Sequence, residues 1–164
     1  MLTGNRFNLN LIMDYKKLTL PAFQIVGICV VTSNDNGASQ KDITDLWNRF
    51  FTESVTLQIA NRESDDIYCS YTDYNPSNKA AYTCVIGHRV IGTAEIRSPL
   101  TEIPVPESLY YVFDCSSANP SHVLDTWKHI WSNNYPRTYQ VDFDLYASGP
   151  ENPEKHEIRS YISV

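Results

Sequence analysis

The chain has 164 residues, 42% of them hydrophobic and 20% charged, a globular composition at a length that fits one domain rather than two. Its formal net charge of −6 argues against a protein that coats a nucleic-acid backbone and suits cationic ligands or partners. No apolar run approaches the roughly 18 residues of a membrane span, and the N-terminal residues do not read as a secretory leader, so a cytoplasmic protein with no membrane role is expected.

Residues 1–12 are polar apart from Leu9, Leu11 and Ile12 and read as an N-terminal extension ahead of a domain over 13–164. A β-branched and aromatic run at 22–32 predicts the first strand. Between 42 and 55, Ile43, Leu46, Trp47, Phe50, Phe51 and Val55 recur at helical spacing, with Asp42 expected as the N-cap. Strands follow at 66–74 and 82–90, and the polar residues 75–78 between them predict a hairpin. The Pro-containing stretch 92–106 reads as a linker. A strand at 108–116 and a helix at 121–134 come next, the helix carrying Val123, Leu124, Trp127, Ile130 and Trp131. Strands at 139–147 and 156–164, joined through 148–153, complete the chain.

The two helices superpose, pairing Ile43 with Val123, Trp47 with Trp127, Phe50 with Ile130 and Phe51 with Trp131. An internal repeat is the economical explanation. The expected fold is therefore α+β: a tandem β-α-β-β repeat, about 21–90 and about 107–164, with pseudo-twofold symmetry. Antiparallel sheets would carry both helices on one side, with a groove between the repeats.

The sequence implies no metal and no cofactor. Cys29, Cys69, Cys84 and Cys115 form no C-x-x-C pair, and His88, His122, His129 and His156 form no H-x-x-x-H pattern. The cysteines are expected to be inert thiols, those in strands being small buried hydrophobes. The six glycines build no phosphate loop, and no residue is assigned a catalytic role.

Tyrosine usage points to a site. Eleven Tyr stand against six Phe, and most lie in or beside predicted strands, where a dry core would need no hydroxyl. In the strand near the C-terminus, Val141, Phe143 and Leu145 alternate with Asp142, Asp144 and Tyr146. The apolar set is expected to pack on the helices and the polar set to face away from them. Rings around a carboxylate would suit a flat apolar cation; a merely solvated polar face is the simpler alternative. Trp47 and Trp127 could equally be core residues of their helices.

Several segments, in order and spacing, resemble one family: AFQIVGI, ITDLWNRF, IYCSYTDY, YTCVIG, IPVPESLYYVF, the W-x-x-I at Trp127 to Ile130, and DFDLY at Asp142 to Tyr146. They look like the effector-binding domain, also called gyrase-inhibitor-like, of AraC- and MerR-type multidrug-responsive regulators. The resemblance runs over 13–164. It implies a tandem β-α-β-β fold with a ligand groove between halves. No helix-turn-helix is seen, so the chain is similar to standalone members, some carried on integron and other mobile gene cassettes. Where the chain reads DFDLY the family usually has D-F-E-x-Y, whose Glu anchors cationic ligands. The resemblance places Asp144 in that role, one methylene shorter. It carries over Tyr146 and Tyr110 directly, and Tyr82, Trp47 and Trp127 more loosely.

The implied function is binding or sequestration of hydrophobic, often cationic, drug-like small molecules, linked to transcriptional regulation or drug response. No direct nucleic-acid binding is expected, so regulation would run through a partner regulator protein. Two alternatives stand beside it: a hydrolase using the groove carboxylate on reactive electrophiles, and a protein-interaction module of the gyrase-inhibitor type. The shortened carboxylate favours binding over catalysis, because catalysis depends more steeply on position.

Overall fold

The strand-forming runs build one eight-stranded sheet: β1 (Tyr15–Leu20), β2 (Phe23–Ser33), β3 (Ile67–Thr72), β4 (Ala81–Val90), β5 (Thr101–Val105), β6 (Ser108–Asp114), β7 (Asp142–Ser148) and β8 (His156–Ser163). The helices are α1 (Ala38–Thr52), the single turn α2 (Val55–Gln58) and α3 (Pro120–Ser132). This is a computed structural model that describes residues 13–78, 80–115, 120–148 and 156–164; the expected N-terminal extension, 1–12, lies outside them. Among the described residues no helix is long and apolar enough to cross a membrane.

The strand order is β1-β6-β8-β7-β3-β4-β2-β5, and the ladders are antiparallel. Exchanging β1–β4 with β5–β8 turns that order into its own reverse, which is the pseudo-twofold expected from the repeat. The axis passes between β3 and β7, where Cys69 stands opposite Asp144.

Two strands were not legible in the sequence. β1 lies in the run just after the extension, and β5 lies in the stretch read as a linker. Each pairs with the other half, β1 with β6 and β5 with β2. Pro104 fits β5 because that strand lies at the sheet edge.

Only Pro21 and Ala22 separate β1 from β2, although the two strands stand near opposite ends of the sheet. Three Cα–Cα steps reach at most about 11 Å, so the sheet must curl until its ends approach. Facing glycines permit a close approach within the curl: a Cβ on Gly27 or Gly87 would strike the opposite backbone at Ile86 or Val26.

Curling gives the sheet two buried faces. One carries both helices: Leu46 and Phe50 of α1 pack on Val26, Ile28, Cys84 and Ile86, while Val123, Trp127 and Ile130 of α3 pack near Phe113, Ile158 and Ile162. The other closes on itself around Phe23, Tyr68, Tyr110, Phe143 and Tyr161.

This overturns the expected orientation of β7. Phe143 and Leu145 belong to the self-closed core, whereas Asp144 and Tyr146 face the helices. Alternation separates the two faces of a strand but cannot say which one meets a helix when both are buried.

Local details differ too. α1 begins at Ala38 after Gly37, whose φ of 70° suits glycine; Asp42 is therefore inside the helix, where it accepts a hydrogen bond from Thr32 Oγ1 at 2.7 Å. The four cysteines are free thiols, but Cys29 is exposed rather than buried.

Candidate ligand-binding groove

Amphipathic helices that lie side by side on one sheet face leave a trough between them wherever their stripes do not meet. Here α1 lends Ile43, Thr44 and Trp47 to one wall, and α3 lends Leu124, Trp127 and Trp131 to the other. Strand residues Cys69, Tyr71, Tyr82 and Tyr146 line it from the sheet, and Tyr74, Arg137 and Tyr139 line it as well. The cavity measures about 860 Å³, within the ordinary size of small-molecule sites. All three tryptophans of the chain line it.

The rings brace one another at steep angles. Tyr146 meets Trp47 at 5.0 Å between centroids and 70°, and Tyr71 meets Trp127 at 5.3 Å and 84°. Tyr71 also meets Tyr82 edge-on at 5.7 Å, and the Tyr82 hydroxyl donates to Asn34 Oδ1 at 2.9 Å. Edge-to-face contacts of this kind hold rings in place and leave other faces open.

Two carboxylates on β7 lie beneath these rings, both fully buried. Asp144 accepts hydrogen bonds from the Tyr71 hydroxyl at 2.6 Å, from Trp127 Nε1 at 3.0 and 3.1 Å to its two oxygens, and from Ser160 Oγ at 2.5 Å. Burial pushes its pKa up to about 6, against the lowering effect of those donors. Burial and the nearby Asp144 charge push the Tyr71 hydroxyl well above the usual phenol range, so Tyr71 remains a donor. Asp142 has a different set of partners: the Arg137 guanidinium at 2.6 Å, the Tyr74 hydroxyl at 2.8 Å, and the Ser163 backbone N–H and hydroxyl at 2.7 and 3.0 Å.

Of the residues expected at a site, Trp47, Trp127, Tyr82 and Tyr146 line the groove, and Asp144 lies directly behind Tyr71 and Trp127. Tyr110 is not with them. It is fully buried in the self-closed core, where its hydroxyl donates to the Val141 carbonyl at 3.2 Å and its ring packs edge-on against Phe143. On β6 the side chains turned toward α3 are Tyr111 and Phe113, which alternate with Tyr110.

Tyr71 and Tyr74 belong to the strand tyrosines that as a set point to a groove but are not singled out there, and Arg137 is not anticipated. Tyr71 shares its strand face with Cys69, opposite Asp144, so strand alternation plus the central register would have found it. Arg137 lies in the irregular stretch before β7, where no periodicity exists to place it. Among the described residues no cluster of His, Cys, Asp or Glu could hold a metal ion.

Solved structures share this fold. SAV2435, solved bound to tetraphenylphosphonium, is 21% identical, with 93% of this chain and 94% of that chain covered and a TM-score of 0.74. Integron cassette protein VCH_CASS2, from the mobile metagenome of Vibrio cholerae, is 20% identical over 92% of this chain and 95% of that chain, at a TM-score of 0.67. EcmrR, solved in complex with DNA, is 8% identical; 93% of this chain matches 57% of that one at a TM-score of 0.61. Likenesses at these identities concern the fold alone. No curated protein matches the sequence. The family model Cass2, described as integron-associated effector binding protein, matches residues 18–164, and the chain belongs to that family.

Proposed function

We propose that the protein is a non-catalytic receptor or sequestering module for flat, aromatic, singly charged cations, which bind in the groove between α1 and α3. The observation that carries this reading is the contrast between the two buried carboxylates. Asp142 meets a guanidinium, whereas the donors on Asp144 are all neutral. An ionised Asp144 therefore leaves the groove with an uncompensated negative charge in a poorly screened interior.

The charge acts through the rings that cover it. Tyr71 and Trp127 direct their polar hydrogens at Asp144 and lend their ring atoms to the groove. Donation to an anion enriches the ring electrons, which strengthens cation–π attraction on the open side. Flat apolar surface supplies the larger share of affinity, at about 25 cal/mol per Å² before association costs. Family membership and the tetraphenylphosphonium bound to the similarly folded SAV2435, a tetrahedral aryl cation, support an apolar, singly charged aromatic ligand but not its flatness. A link to transcription would run through a partner protein.

The buried state of Asp144 supports binding over hydrolysis. Both carboxylate oxygens already accept donors and neither reaches the groove surface, so a general base would have no place for its water.

The test uses intrinsic fluorescence, because the tryptophans line the groove. N-methyl-para-phenylpyridinium is a permanent cation, and para-phenylpyridine is its neutral counterpart at pH 8. The cation should bind at least about tenfold more tightly, or about 1.4 kcal/mol. Equal affinities, or no binding by the cation, would contradict the reading.

A further inference from the structure

Arg137 stands where a ligand cation would. Its guanidinium carbon lies 4.3 Å from the Tyr139 ring centroid, 5.5 Å from Trp127 and 5.7 Å from Tyr74, all within cation–π range. Nη2 pairs with the buried Asp142 at 2.6 Å, and the side chain is only 9% exposed. Three rings and a buried carboxylate around one positive charge repeat the chemistry assigned to Asp144, but the occupant is the protein's own side chain.

The fit is generic rather than tailored to a guanidinium. Nη2 donates to Asp142 and, at 3.4 Å, to the Tyr74 hydroxyl, while Nε is buried without a hydrogen-bond partner. A site shaped for arginine would engage its fork of five N–H groups. This one holds a cation by charge and ring faces. The side chain comes from an irregular segment between α3 and β7, not from the helix stripes that form the walls.

We infer that Arg137 is a built-in cation that fills the second of two carboxylate sites in the groove, and thereby restricts the ligand to a single positive charge. The inference rests on the groove reading given above. With Arg137 in place, Asp142 is balanced and a second ligand charge would face the guanidinium. Without it, two carboxylates with no cationic partner would lie beneath the groove rings at positions i and i+2 of one strand face, about 7 Å apart along the strand. The ligand class would then change from monocations to dications with charges at comparable spacing.

Methyl viologen and N-methyl-para-phenylpyridinium form the matched pair for the test: both are flat biaryls of similar size, and the viologen carries a second quaternary nitrogen at the far end. Wild type should bind the viologen no more tightly than the monocation. Arg137→Gln should shift the ratio toward the viologen by at least about tenfold. Arg137→Lys should keep the wild-type ratio, because it restores charge without guanidinium shape, a rescue that a merely structural role would not give. A wild-type preference for the viologen, an unchanged ratio in Arg137→Gln, or a lysine variant that behaves like glutamine would overturn the inference. Should Arg137→Gln unfold alone, millimolar methyl viologen should restore its thermal transition, and failure to do so also counts against it. If neither pyridinium binds folded wild type, the groove reading itself fails. If the monocation binds in an Asp144-dependent way but the ratios do not move, only the role of Arg137 is wrong.

Discussion

The Tyr71 hydroxyl donates to Asp144 Oδ2 at 2.6 Å across the central β3–β7 ladder, tying a groove residue to the charge beneath it. That bond is one of those holding the Asp144 pKa down against burial. Tyr71→Phe should therefore raise the pKa above about 6 and move the pH midpoint of cation binding upward. A pH titration of affinity in wild type and variant checks the direction. An unmoved or lowered midpoint would dissociate Tyr71 from the binding charge.

In wild type, affinity for a permanent cation should be full above pH 7 and fall as the pH drops through about 6, where burial sets the Asp144 pKa. Protonation removes the negative charge while the rings stay unchanged. A neutral ligand of the same shape should show no such midpoint. N-methyl-para-phenylpyridinium compared with biphenyl gives the readout, since neither ligand titrates.

The same shift has a stability sign. A carboxyl whose pKa rises from 3.8 in the free side chain to about 6 in the fold binds protons more tightly when native. Between those values stability falls as pH rises, and above pH 6 the ionised form costs on the order of 3 kcal/mol. Asp144→Asn should flatten this slope. Denaturant midpoints from pH 4 to pH 7 should decline in wild type relative to the variant; parallel profiles would refute the burial cost.

Tyr110 separates the two faces of the sheet. Tyr110→Phe removes the hydrogen bond to the Val141 carbonyl and should cost about 1–2 kcal/mol of stability. Ligand affinity should be unchanged, because the residue lies in the self-closed core. A loss of binding in a normally stable variant would reinstate it as a groove residue.

Much of this architecture was written in periodicities. The matched positions of Trp47 and Trp127 on two apolar stripes fixed the repeat, and the structure places both at the groove. The Asp142, Asp144 and Tyr146 alternation grouped the side chains of one face of β7, and Asp144 and Tyr146 turn toward the helices. Its direction was hidden because Phe143 packs into a second core that exists only when the sheet curls. That curl depends on β1 and β5 pairing with the opposite halves, long-range contacts with no local signature. For the same reason Arg137 was invisible: its partners Asp142, Tyr74 and Trp127 converge from separate elements.

Charge selection by the groove depends on Asp144, and a four-way comparison isolates it. Affinities of N-methyl-para-phenylpyridinium and para-phenylpyridine are measured at pH 8 for wild type and Asp144→Asn. The variant should lose about 1.5–3 kcal/mol of cation binding, the range for an interaction with a charged group, while the neutral ligand binds as before. Equal losses for both ligands, or no loss for either, would show that the groove does not select charge through Asp144.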